Sequence, residues 1–116
     1  MILSFALATA LLADASQHRI AGPTIACGAA FVIELRAGEA LEWRDTGMDF
    51  VAYRFHQGKQ VTVIYEGNHP QRGGIVHNTG LNAPAKVVVH GGKNVASRVR
   101  FDRKLRGRCP KDTPRW

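Results

Sequence analysis

From Asp49 to Pro70 the chain reads DFVAYRFHQGKQVTVIYEGNHP, a pattern that little but a β-hairpin accommodates. Val51, Tyr53 and Phe55 alternate with Phe50, Ala52 and Arg54, and Val61, Val63 and Tyr65 alternate with Thr62, Ile64 and Glu66. A period of two in β-branched and aromatic residues is the signature of a strand. His56-Gln57-Gly58-Lys59 offers a short connection in which Gly58 can take a positive φ. Apolar residues fall on both sides of the alternation, which predicts a central pair covered on one face and partly on the other. Gly67 and Asn68 tolerate a turn, and Pro70 cannot donate to a ladder, so the second strand stops there.

The flanking segments have the same character. Phe31, Ile33 and Leu35 alternate with Val32, Glu34 and Arg36; after Ala37-Gly38, Leu41 and Trp43 alternate with Glu42 and Arg44. This predicts a first hairpin whose outer face carries a cross-strand ladder of Glu34, Arg36, Glu42 and Arg44. Residues 16–23 are polar and end in Gly-Pro, an irregular lead-in. Ile75-Val76-His77 is a short strand, and Lys86 to His90 a stronger one. Gly91-Gly92 then reads as a turn into a last strand, Val95 to Phe101, with Arg98 and Arg100 on one side. Nothing beyond the first fifteen residues shows a sustained helical period. The expectation is an all-β fold, a small antiparallel sandwich or barrel of six to seven strands.

Ile2 to Leu12 is a run of eleven residues, apolar to weakly polar, followed by Ala13-Asp14-Ala15. That is the length of a secretory leader core with a small-x-small cleavage site, although no Lys or Arg precedes it. A membrane-spanning helix needs about 20 apolar residues. We therefore expect a signal segment over 1–15, cleaved to leave a single all-β domain over 16–116 with no transmembrane segment, in the periplasm or outside the cell. The competing reading is a buried N-terminal element of a cytosolic protein.

Two cysteines, Cys27 and Cys109, support export. An even count in an exported chain is normally paired, and the two lack the CxxC spacing of a redox or zinc site. Thr24-Ile25-Ala26-Cys27 fits a lipoprotein box poorly. A Cys27–Cys109 disulfide would close a loop of 83 residues, 27 to 109 inclusive. The chain-entropy model assigns such a loop on the order of 4–5 kcal/mol.

The formal net charge is +7. Residues 98–116 hold eight Lys and Arg against two Asp, so +6 of it lies there. Arg98, Arg100, Arg103, Lys104, Arg106 and Arg108 form the candidate basic face, running into a basic tail from about residue 102. Arginine suits bidentate recognition of carboxylate and phosphate. The partners this implies are an anionic envelope polymer, a lipid head group or an acidic protein. Nucleic acid is disfavoured, because interleaved aromatics are missing and export removes the usual targets. The opposing reading is a solvated edge that resists strand pairing.

A second candidate site is the strand exit, where Glu66, Asn68, His69 and Arg72 leave together. It would serve a small hydrolase or a ligand-binding enzyme; a protruding loop at 67–74 would serve an inhibitor of a secreted enzyme. The same residues also spell a structural turn. Ser16 and Ser97 are the only serines after the leader, and neither lies in GxSxG. The five histidines show no metal-ligand spacing. The glycine pairs at 73–74 and 91–92 lie in no phosphate-binding motif. We expect no cofactor and no metal. The sequence reads as a non-catalytic binding module.

Overall fold

The computed structural model describes residues 17–45 and 49–110. The expected leader over 1–15 and the tail after Pro110 lie outside the described residues. Among the described residues nine strands form two antiparallel sheets. The larger takes β1 (Gln17–Ala21), β4 (Glu39–Arg44), β5 (Phe50–Gln57), β6 (Gln60–Gly67), β7 (Ile75–Asn78) and β8 (Lys86–Val89), in the order β1-β4-β5-β6-β8-β7. The smaller takes β2 (Thr24–Cys27), β3 (Val32–Leu35) and β9 (Val99–Arg100), in the order β2-β3-β9. Two one-turn helices, α1 (Lys93–Ala96) and α2 (Arg103–Arg106), flank β9.

The β5–β6 hairpin is the centre of the larger sheet, as its alternation predicts. Its ladder runs from Phe50↔Gly67 to Gln57↔Gln60, closed by Gly58 at φ +61°. Tyr53 and Phe55 point inward with Ile64, Leu41, Trp43, Val87 and Val89. Ala26, Phe31, Ile33, Leu35 and Val99 meet them from the smaller sheet's side, so one core lies between two layers. Phe31 stands edge-on to Tyr53 with ring centroids 5.0 Å apart, a favourable aromatic geometry. The all-β sandwich is thus the fold.

Four segments differ from expectation. β3 and β4 are not a hairpin: β3 pairs with β2 and β9, while β4 pairs with β1 and β5. The turn at Gly38 (φ +84°) carries the chain from one layer to the other. Each strand has an inward apolar row, and alternation alone does not say which sheet that row belongs to. The polar lead-in contains β1, an edge strand that needs only His18 and Ile20 turned partly inward. β2 adds a further strand, which brings the count above six or seven. In the expected last strand, Lys93–Ala96 forms a helical turn and only Val99–Arg100 pairs. Val95 and Val99 are four residues apart, a spacing that fits one helical turn as well as a strand.

Part of the outer face of the smaller sheet is also covered. Ile25, Cys27 and Val32 form a second apolar cluster beneath Leu105 and Cys109. Cys27 and Cys109 are joined by a disulfide, so the C-terminal segment is fastened over this face. Asp102 Oδ1 accepts from the Lys104 N–H at 2.8 Å at the start of α2.

Candidate functional site

The expected basic face is divided by the fold. Arg98 turns into the structure: its guanidinium donates to both carboxylate oxygens of Glu39, each at 2.6 Å, and to the Glu34 carbonyl at 2.7 Å. It also lies over the Phe55 ring, 5.1 Å from the centroid. The paired guanidinium holds the Glu39 carboxyl down at about 2, against desolvation, while Glu39 raises the Arg98 pKa. Arg106 is also spent internally, donating to the Ala29 carbonyl. Arg100, Lys104 and Arg108 remain exposed. The Arg103 side chain lies outside the described residues.

Arg36, which sequence reasoning placed in a charge ladder, joins this group. Arg36 and Arg100 line one shallow hollow of about 230 Å³, walled by Glu34, Leu35 and the Glu39-paired Arg98. Arg108 lines an adjoining one of about 410 Å³, which shares Glu34 and Leu35. Arg100 has a loose ion pair with Asp102 at 3.7 Å. Arg36 and Arg108 form no ion pair among the described residues. Three arginines therefore converge on the outer side of the smaller sheet, a geometry able to take oxyanions in forked hydrogen bonds.

The strand-exit group is not brought together. Glu66 is fully buried and points into the core. Its oxygens accept from the Tyr53 hydroxyl at 2.7 Å and from the Ala29 and Ala30 N–H groups at 3.0 and 2.7 Å. Burial and the Glu66 charge push the Tyr53 phenol far above its ordinary range. A Cβ at Gly28 would sit 2.9 Å from Glu66 Oε2 and 2.2 Å from the Phe31 ring, so the loop can close over the carboxylate only with glycine there. Asn68 accepts from the Ala85 N–H at 2.7 Å and donates to the Asn82 carbonyl at 3.2 Å, an ordinary loop clasp. His69 meets Asp49 at 2.8 Å and holds its carboxyl below the usual range. Arg72 is exposed. None of these four residues lines a hollow described here.

A third feature, on the opposite side of the molecule, has no counterpart in the sequence reading. The β4–β5 ladder ends at Glu42↔Arg54, although β4 continues along β1 to Arg44 and β5 along β6 to Phe50. The two strands part, and a hollow of about 410 Å³ opens on the outer face between Arg44, Arg54, Gln17, Ala52 and Val63. Its one carboxylate, Glu42, is engaged by Arg19 at 3.2 Å and His56 at 3.3 Å. Burial raises the Glu42 pKa, and those two partners more than offset it, leaving the group below its usual range.

The placement of the acids explains why arginines dominate both outer faces. Among the described residues Glu39, Glu66 and Glu42 are committed as above, and Asp45 and Asp49 pair with His18 and His69. Glu34 alone makes no such side-chain bond. No group of three or more His, Cys, Asp or Glu able to hold a metal occurs among the described residues. Comparison with protein-family models, with curated proteins and with solved structures finds no match to this chain.

Proposed function

We propose that this chain is an exported, non-catalytic module that binds an anionic polymer of the cell envelope through the outer face of its smaller sheet. The convergence of Arg36, Arg100 and Arg108 on two adjoining hollows carries the reading. Two of the three have no ion pair among the described residues, and together the three outnumber Glu34, the carboxylate that walls both hollows, so a net positive charge faces a ligand. The mechanism is electrostatic: the arginines replace counterions on the polymer, so affinity falls steeply with salt. The paired cysteines and the N-terminal apolar run support an oxidising, extracytoplasmic location. No helix among the described residues is long and apolar enough to cross a membrane. A catalytic reading gains no support from Glu66, whose carboxylate is sealed from solvent and fully engaged.

Binding to alginate, a carboxylated polysaccharide, tests this by calorimetry at low and high sodium chloride. Affinity should drop by roughly tenfold or more between about 50 and 200 mM salt. The Arg36→Glu, Arg100→Glu, Arg108→Glu triple variant should weaken binding by a similar factor. Salt-independent binding, or undiminished binding by the triple variant, would overturn the proposal. Vesicles of phosphatidylglycerol and a polyglutamate peptide serve as the lipid and acidic-protein arms.

A further inference from the structure

We infer that the parted β4–β5 strands form a second anion-binding site, which takes a carboxylate or sulfate group of an acidic polysaccharide. The inference extends the proposed function, because two such sites on opposite layers make the molecule a bridge between polymer chains.

The site is built by the fold. Arg54 faces Glu42 across the ladder, and Arg44 lies two residues further along the same strand as Glu42. The two arginines stand on the two strands just where the ladder opens, and both line the hollow between them. Glu42 would normally neutralise one of them, yet it is occupied by Arg19 on β1 and His56 on β5. Arg44 and Arg54 form no ion pair among the described residues. Arg19, Arg44 and Arg54 against Glu42 leave this part of the face at +2. Gln17 adds a neutral hydrogen-bonding group to the wall, and Ala52 and Val63 give it a short apolar stretch. An oxyanion on a polar backbone with some apolar ring surface matches that lining.

Three observations favour a polymer over the other occupants. The site is concave, and the exposed apolar groups beside it are small: Val63 and, beyond it, Val61. A lipid surface would instead call for protruding aromatic or long aliphatic side chains. The two arginine faces belong to different sheets that turn their backs to each other, so one flat membrane meets only one of them. A second copy of this chain would bring cations against cations.

Light scattering of alginate solutions titrated with the protein reads bridging, and calorimetry reads binding. The wild type should raise scattering as chains are linked. Arg44→Glu with Arg54→Glu should still bind through the other face but lose the scattering increase. The Arg44→Gln, Arg54→Gln pair, which adds no repulsion toward Glu42, should do the same, and serves if the first variant folds poorly. Scattering by both variants equal to that of the wild type overturns the second site and leaves the proposed function standing. If the Arg36, Arg100, Arg108 variant loses all binding, the second site is again overturned. If that variant binds normally and the Arg44, Arg54 variants do not bind, the second site stands and the proposed function falls. Bridging of phosphatidylglycerol vesicles with no binding to alginate overturns the polymer assignment.

Discussion

Glu66 occupies a position that costs a carboxylate dearly unless its oxygens are satisfied, for an isolated charge in a core loses its hydration without return. Three donors supply the return: the Tyr53 hydroxyl and the backbone of Ala29 and Ala30. The group thereby fixes the 28–31 loop against the larger sheet. Glu66→Gln keeps the shape but turns an amide NH₂ toward one of those donors. We expect it to lose about 2–4 kcal/mol of stability in urea unfolding, with Tyr53→Phe losing about 1–3 kcal/mol. A loss below about 0.5 kcal/mol in both would show that the tie contributes nothing. That Glu66 shares a face with Thr62 and Ile64 was legible; that this face is the inward one was not, since apolar residues fall on both sides of the strand. Its burial was not, because two of its three donors lie 36 and 37 residues away and are backbone groups with no side-chain signature.

Among elements, Arg98 straps the segment before β9 to the first residue of β4 and so joins the two layers at one end. Glu39 is ionised down to about 2 in the fold, against an ordinary 4.5. A depressed carboxyl pKa stabilises the fold fully above the ordinary value, and that contribution is lost as pH falls through the folded one. Glu39→Gln should therefore lower the melting temperature at pH 7 by roughly 10 °C, from a loss of about 2 kcal/mol. The gap between variant and wild type should close from about pH 4.5 down to 2. A gap that stays constant over that window would exclude the strap. Element pairing was legible where it is local, as in the Gly58 turn, and illegible where two similar alternations belong to different layers. Arg98 and Arg100 read alike in sequence, yet only Arg100 lies in a strand and stays exposed. What separates them is the reach of Arg98 to Glu39, 59 residues earlier.

For the molecule as a whole, the Cys27–Cys109 bond and Leu105 fasten the C-terminal segment across the smaller sheet. Replacing both cysteines with serine should cost about 3–5 kcal/mol, chiefly by freeing the unfolded chain. Urea unfolding of oxidised and serine forms measures it; intact mass should rise by two hydrogens on reduction. A stability loss under about 1 kcal/mol would show that the bond is incidental. This pairing was legible from the cysteine count. The second arginine face was not, because residues 1–97 are almost neutral in sum. Their balance conceals a separation: among the described residues all these acids but Glu34 are turned inward or paired, while Arg36, Arg44 and Arg54 are left outside without an ion pair. That closure has a further consequence. Between Cys27 and Cys109 the chain is a ring, so one cut at an exposed turn such as Gly58-Lys59 opens the ring without dividing the molecule. The severed hairpin strands keep their outer neighbours β4 and β8, and a protease must cut twice within the ring before any piece of it is covalently freed.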